Sequence, residues 1–253
     1  MFRIRHFFES SLGPILNIWG SNIGLLNMDD AERILMYHSI EDSIPNDKKG
    51  LFTISKNNFI EQIKMLSSYS MGRLSNVNDL KAGKLAITFD DGYINNLRIA
   101  APILNEYKVP FVVYVTAGYV KSNNKLYLNP AELRELSLFP GATIGGHGMT
   151  HRRLSKCNKS ELKNELSDSK RYLEDVLGTE IKTMAYPHGD YNASVIESAK
   201  EFGYELCVTT KNGVVVPNES LNCYALNRTA ILSYDTLATI NYKLNGCFDW
   251  IDI

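Results

Sequence analysis

The chain has 253 residues and is 44% hydrophobic, enough to bury the core of one large α/β domain or two small ones. Its 27 basic and 28 acidic residues nearly cancel, so no overall positive field exists to attract nucleic acid or anionic lipid. The composition excludes a disordered chain and a nucleic-acid partner, and the expected ligand is a small or neutral molecule.

The first 26 residues become more apolar towards their end and superficially resemble a secretion signal. Glu9 lies early in this stretch, Asn17 and Gly20 interrupt the apolar run, and no small-x-small cleavage site follows. The run is also shorter than the roughly 18 unbroken apolar residues of a spanning helix. We expect residues 1–32 to form an extension with helical potential. The protein is then cytoplasmic or touches a membrane peripherally through residues 1–26, and secretion is the alternative.

From Arg33 onward, short apolar runs alternate with longer segments of helical period, a pattern typical of βαβ units. The predicted strands are 33–38, 85–90, 109–116, 142–147, 182–187, 204–210 and 223–231. The predicted helices are 56–68, 94–107, 130–138, 160–177, 193–202 and 235–245. This pattern predicts a parallel barrel, closed or partly open, built by a single domain over 33–253. Because βα loops converge at the carboxyl ends of barrel strands, the chemistry is expected there.

The strand over 85–90 stops in two adjacent carboxylates, Asp90 and Asp91, followed by Gly92. An ordinary turn is one interpretation, because Asp and Gly favour turns. Adjacent carboxylates repel, however, and the pair is easier to explain if a cation neutralises one of them. The other carboxylate then remains free to act as a base.

His147 and His151 stand four residues apart, just after another predicted strand. If the chain turns helical there, both imidazoles share a face and can reach one ion. With a carboxylate from another strand end they make a three-ligand set with open positions, which is typical of catalytic metal sites. The same donors describe the facial triad of non-haem iron oxygenases, which is the alternative enzyme class.

A third strand ends in Tyr186-Pro187-His188-Gly189 and leads to a helix that Asn192 can cap. Besides making this turn, the segment can aim a backbone N–H at the barrel mouth, where an oxyanion would develop. His38 ends the first strand and Arg228 lies late in the last one. Such lone residues are more often structural, although both fall on the predicted catalytic side.

In the order and spacing of these motifs, the chain resembles the polysaccharide deacetylase family, which is carbohydrate esterase family 4 with the NodB-homology domain. The resemblance covers about residues 33–231 and is carried by Thr88 to Gly92, His147 to His151 and Tyr186 to Gly189. It implies a distorted (β/α)7 barrel. It also implies Asp90 as general base and a divalent metal on Asp91, His147 and His151, with Zn²⁺ as first choice and Co²⁺ or Ni²⁺ as alternatives.

The resemblance further implies N-deacetylation of an N-acetylated sugar. Met36-Tyr37-His38 and Ala185-Tyr186-Pro187 look like the branch of exopolysaccharide and surface-glycan deacetylases, which favours a poly-N-acetylglucosamine-like glycan, another surface glycan or its precursor. Tyr186, Pro187 and Tyr191 are the predicted substrate contacts.

The chain also departs from the family pattern. Gly148 stands where Ser or Thr usually follows the first histidine, so Thr150 is the alternative source of a supporting hydrogen bond. Ala185 stands where an Arg often pairs with the catalytic Asp, and we predict that Arg228 replaces it.

The Leu-x-His motif that often supplies the general acid is also absent. The remaining sources of the proton are His38, His188 or a water that returns its own proton. These departures keep open a second alternative, a catalytically impaired homologue that only binds carbohydrate.

Overall fold

The computed structural model describes residues 32–45, 47, 50–69, 85–122, 124–215 and 222–250. Apart from Glu32, the predicted extension over 1–32 and its membrane contact lie outside the described residues. Among the helices that are described, none is long and apolar enough to cross a membrane.

The described strands are β1 (Arg33–Tyr37), β2 (Ser39–Ile40), β3 (Thr53–Ile54), β4 (Leu85–Phe89), β5 (Phe111–Val115), β6 (Ala142–Gly146), β7 (Thr183–Ala185), β8 (Leu206–Val208) and β9 (Thr229–Ala230). Seven of them form one parallel sheet in the order β8-β7-β6-β5-β4-β1-β9, while β2 pairs with β3. The sheet curls into a half-barrel.

The segment that leads into β9 connects the two edges of this sheet. Leu226 N donates to Cys207 O at 3.0 Å, and Thr209 N donates to Leu226 O at 2.9 Å, so the segment first pairs with β8. Thr229 and Ala230 then pair with β1. The predicted last strand over 223–231 therefore exists, but it changes partner along its length, and Arg228 lies at the change.

The described α-helices are α1 (Lys56–Leu66), α2 (Ala101–Glu106), α3 (Ala117–Lys121), α4 (Pro130–Ser137), α5 (Lys159–Leu162), α6 (Ser169–Leu177), α7 (Ala193–Glu201) and α8 (Leu237–Leu244). Wide π-helical turns, Asn96–Ala100 and Lys163–Asp168, precede α2 and α6. The helices predicted over 94–107 and 160–177 are thus present, but each contains such a turn.

The ends of the helical stretch 159–177 show why it begins and stops where it does. Asn158 caps its start: the Asn158 side chain accepts from Glu161 N at 3.0 Å, and the Glu161 carboxylate accepts from Asn158 N at 2.8 Å. Gly178 ends the stretch with a left-handed φ of 71°, a conformation that glycine adopts without steric cost.

The central strands β1, β4 and β5 are buried along their whole length, because side chains on both faces are covered. Residues on one face pack against the helices, as Leu35, Ile87 and Val113 do. Alternate residues belong to a second, smaller cluster on the other face, which contains Ile34, Ala86, Val112, Tyr114, Ala185, Leu206, Val208, Val215 and Leu226. The guanidinium of Arg228 lies 5.6 Å from the centre of the Tyr114 ring in this cluster.

Candidate functional site

The carboxyl ends of several strands open into one cleft of about 470 Å³. Because neighbouring parallel strands end at the same edge, residues far apart in the sequence meet there. Predicted site residues that line it are His38 after β1, Asp90 and Asp91 after β4, His147 and His151 after β6, and His188 after β7.

Asp91, His147 and His151 form a compact cluster in this cleft. One potential ligand atom from each lies within 4.8 Å of the other two. His147 Nε2 is 3.7 Å and His151 Nε2 is 3.2 Å from Asp91 Oδ1. Burial acts to raise the pKa of Asp91, but the neighbouring histidines outweigh it and lower the pKa. The carboxylate is therefore ionised at neutral pH.

These donors fit a divalent metal. Asp91 Oδ1 is buried and accepts no well-formed hydrogen bond from any described residue, and a cation would satisfy such an acceptor. His147 Nδ1 lies 2.8 Å from Ala185 O, so this nitrogen carries the proton and the Nε2 lone pair faces Asp91. Two imidazoles and one carboxylate leave positions open for water and substrate.

The two histidines converge without a helical turn between them. The segment from His147 to His151 is a loop in which Gly148 has a φ of 74° and His151 a φ of 58°. The helical spacing considered for this segment is therefore wrong. Asp91, with a φ of 74°, also has a left-handed backbone conformation, which residues other than Gly rarely adopt. Such strained residues cluster at functional sites.

Asp90 forms an ion pair with Arg228, whose side chain is completely buried. Arg228 Nη1 and Nη2 donate to Asp90 Oδ1 and Oδ2, each at 2.7 Å. The guanidinium also donates to Thr88 Oγ1 at 3.1 Å and through Nε to Thr209 O at 2.7 Å. Burial acts to raise the pKa of Asp90, but Arg228 and His147 outweigh it and lower the pKa.

This geometry matches the replacement expected from the sequence. Ala185 has no side chain that could reach a carboxylate, and its carbonyl accepts from His147 instead. Arg228 forms the pair with Asp90 from the opposite end of the chain.

His38 and His188 border the same cleft in different ways. Asp47 accepts from Leu51 N at 2.9 Å and Phe52 N at 2.7 Å, and the resulting turn places the Phe52 ring 4.6 Å from the His38 ring. His38 Nδ1 is buried without a hydrogen-bond partner among the described residues.

His188 has a left-handed φ of 58°, and its Nε2 lies 3.2 Å from His151 O. Its ring centre is 4.5 Å from that of His151. Burial, followed by the neighbouring His151, lowers the pKa of His188 below its ordinary value.

The structure does not bring the predicted substrate contacts Tyr186, Pro187 and Tyr191 to the cleft, since none of them is among the described residues that line it. Tyr186 packs in the helix-side core, and its hydroxyl donates to Tyr224 O at 2.9 Å. Tyr191 stacks on Tyr186 with ring centres 5.0 Å apart, and Pro187 is buried. Tyr186 and Pro187 therefore pack in the interior, whereas a substrate contact through the half-buried Tyr191 stays a prediction.

Sequence reasoning missed the aromatic residues beside the cluster. Tyr93 lines the cleft, and a stack of rings runs from Tyr93 through Tyr127 to Tyr119, with centre distances of 5.1 and 4.1 Å. The Tyr119 ring is in turn 6.1 Å from that of His151. Tyr93 directly follows Gly92 and could have been noticed, whereas no local pattern connects Tyr119 with Tyr127.

A parallel barrel with a carboxylate and imidazole cluster at its strand ends belongs to the class of α/β proteins whose cleft could hold a metal ion, and the comparisons identify the family. The family model described as polysaccharide deacetylase matches residues 78–207, so the chain belongs to the polysaccharide deacetylase family. The resemblance drawn from the three motifs is confirmed.

Two relatives and one solved structure illustrate the match. YxkH of Bacillus subtilis (strain 168), assigned as a polysaccharide deacetylase, is 26% identical over 207 residues, covering 78% of this chain and 70% of the relative. The peptidoglycan-N-acetylglucosamine deacetylase of Bacillus cereus is 31% identical over 125 residues, covering 48% of this chain and 54% of the relative.

The solved structure is the Streptococcus pyogenes deacetylase PplD in complex with acetate. It shares 27% identity and a TM-score of 0.75 with this chain, covering 85% of this chain and 98% of PplD. The predicted NodB-type (β/α)7 barrel is confirmed by such neighbours and by the parallel sheet.

Proposed function

We propose that this protein hydrolyses the N-acetyl group of an N-acetylated sugar with a divalent metal held by Asp91, His147 and His151. The buried, unsatisfied Asp91 Oδ1, facing two imidazoles in a cleft beside a second ionised carboxylate, carries this proposal. When bound, the metal would polarise the acetyl carbonyl and lower the pKa of a water. Zn²⁺ is the first choice, and Co²⁺ and Ni²⁺ are the alternatives.

Asp90 is the proposed general base. The ion pair with Arg228 keeps it ionised despite its burial, so it can accept a proton from the attacking water at neutral pH. The two parallel hydrogen bonds from Arg228 also fix the plane of the carboxylate. Each carboxylate oxygen retains a further lone pair for the incoming proton.

Of the two histidines considered as general acid, the geometry favours His38. The His38 side chain lines the cleft and its Nδ1 makes no hydrogen bond with a described residue, so we propose His38 as the group that delivers a proton to the leaving amine. His188 Nε2 instead faces the His151 carbonyl, and its lowered pKa makes it neutral at pH 7.

The third motif supplies a proposed backbone donor for the developing oxyanion. Gly189 N and Asp190 N already donate to Tyr186 O and Pro187 O, at 2.8 and 3.1 Å. The amide of His188, whose side chain lines the cleft, is therefore the donor we propose. An interaction of this type contributes roughly 2.7–4 kcal/mol to stabilising the transition state.

For the substrate, we propose an N-acetylglucosamine-containing glycan, either poly-N-acetylglucosamine-like, another surface glycan or its precursor. Membership of the family supports an N-acetylated glycan, and the name of the Bacillus cereus relative specifies N-acetylglucosamine in peptidoglycan. The alternative hypothesis, a homologue that only binds carbohydrate, rested partly on the absence of an arginine at position 185. Arg228 forms the ion pair with Asp90 that Ala185 cannot form, which weakens this alternative.

An amine-release assay tests the proposal. The metal-free protein is reloaded with Zn²⁺, Co²⁺ or Ni²⁺ and offered chito-oligosaccharides, peptidoglycan fragments and a nucleotide-linked N-acetylhexosamine. We expect release of free amine and acetate in equal amounts, and none from His147→Ala. Sugar binding without release would establish the binding homologue, whereas oxygen consumption with Fe²⁺ and a keto acid would establish the oxygenase.

A further inference from the structure

Glu165 is a buried carboxylate that the proposed reaction does not use. Glu165 lies in the π-helical turn Lys163–Asp168 and is only 1% exposed. Buried acidic side chains are rare unless they are paired, and π-helical turns occur frequently at functional sites. Glu165 therefore requires an explanation beyond packing.

All of the described hydrogen bonds of its carboxylate go to the loop between His147 and His151, the two proposed metal ligands. Glu165 Oε2 accepts from Met149 N and from Thr150 N, both at 2.9 Å. Glu165 Oε1 accepts from Thr150 Oγ1 at 2.6 Å. Hydrogen bonds to an ionised acceptor are roughly twice as strong as neutral ones, so this carboxylate binds the loop firmly.

The same contact explains the unusual Gly148. A Cβ at this position would come within 3.0 Å of Glu165 Oε2, and the φ of 74° is unfavourable for any side chain. Two residues further on, Thr150 donates its hydroxyl to the other oxygen of the same carboxylate. Gly148, Thr150 and Glu165 thus form one structural unit.

We infer that Glu165 is a positioning residue for the metal site. By holding Met149 and Thr150, it fixes the loop so that His147 and His151 converge on Asp91. This inference rests on the proposed function, because it assigns Glu165 a role towards the proposed metal. Loss of such indirect support typically weakens metal affinity about 10–100-fold.

The test measures the affinity of the full chain for Zn²⁺ by competition with a chromophoric chelator, and the visible absorption of the Co²⁺-loaded protein. Glu165→Gln removes the charge at nearly constant size. We expect it to bind Zn²⁺ about 10-fold more weakly or worse and to show a shifted Co²⁺ spectrum. Its metal-free form should still unfold cooperatively.

Two further comparisons separate positioning from a general effect on folding. Asp168→Asn removes a charge from the same π-helical turn, but Asp168 pairs with the exposed Lys163 and Arg171, so its metal affinity should equal that of the wild type. Thr150→Val should lose about fivefold in Zn²⁺ affinity, the equivalent of one hydrogen bond, and Thr150→Ser should restore it.

The outcomes distinguish this inference from the proposed function. If the wild type binds no divalent metal, or binds it equally well after His147→Ala, the proposed metal site is wrong and the inference fails with it. If the wild type binds metal through His147 but Glu165→Gln and Thr150→Val keep its affinity and Co²⁺ spectrum, only the inference is wrong.

Discussion

Arg228 donates to both carboxylate oxygens of Asp90 at 2.7 Å, and the two side chains are 0% and 3% exposed. The residues are 138 positions apart in the chain. Removing one partner of such a buried pair leaves an uncompensated charge, which is more damaging than the pair is stabilising. Arg228 should therefore affect both the stability and the activity of the protein.

Arg228→Met keeps most of the side-chain volume and removes the charge. We expect the free energy of unfolding to fall by about 3–5 kcal/mol, measured by denaturant titration, because Asp90 loses its partner. Activity should fall as well. The control Arg152→Met removes an exposed arginine that pairs with Glu161, and should leave the free energy of unfolding close to that of the wild type. If the folded Arg228→Met variant kept wild-type activity, Arg228 would have no role in catalysis.

Asp90→Asn should retain metal and lose most turnover. Asn can still accept a hydrogen bond from Arg228 but cannot take a proton from water, so we expect kcat to fall about 10²–10⁴-fold. Bound metal is measured by elemental analysis, and turnover by amine release. The double variant Asp90→Asn with Arg228→Met shows how much of the loss comes from the unpaired arginine. Substantial activity in either variant would exclude Asp90 as the base.

His147→Ala should abolish stoichiometric metal binding, whereas His188→Ala should not. The reason is that His147 Nε2 faces Asp91 Oδ1, while the Nε2 of His188 faces a backbone carbonyl. Both variants are titrated with Zn²⁺ after metal removal by a chelator. Equal loss in the two variants would contradict the proposed ligand set.

His38→Gln should lower kcat strongly with little effect on metal affinity, because the leaving amine loses its proton donor. We expect a loss of about 10²-fold or more. His188→Gln is the matched variant, and it should keep most of the activity, since the lowered pKa of His188 leaves it unprotonated at neutral pH. The reverse result would assign the acid role to His188.

Asp90 should also make the metal-free protein sensitive to acid. Its pKa is lowered on folding, so its contribution to stability is complete above the unfolded value of about 3.9 and is lost as the pH falls through the lower folded pKa. The free energy of unfolding should therefore decline below about pH 4, and the decline should be smaller in Arg228→Met. Identical pH dependence of the two proteins would show that the pair does not control this titration.

Much of this protein follows from local sequence. The alternation of buried strands with helical segments determined a parallel barrel, because side-chain period depends on neighbouring residues alone. The Asp-Asp-Gly, His-x-x-x-His and Tyr-Pro-His-Gly segments marked three strand ends, and parallel topology is sufficient to bring such ends together. The proposed metal donors were recognisable for this reason.

Local sequence could not determine whether a side chain that follows a strand faces the cleft or the core. Tyr186 was predicted at the substrate but packs in the core, because it continues the alternation of β7 and faces the same helix-side cluster as Met184. Glu165 carried a weak signal, an acidic residue on the same helical face as Leu162, Leu166 and Leu173. Its purpose is visible only once the loop from His147 to His151 packs against it.

Sequence by itself thus determined the order of elements, the family and the residue types available at the strand ends. Tertiary structure alone decided how they act together. The segment that pairs first with β8 and then, as β9, with β1 brings Arg228 to Asp90, and the left-handed turns at Asp91 and His151 direct their side chains to one point. The physical reason is that propensity and period act over a few residues, whereas ion pairs and ligand clusters depend on contacts between distant segments.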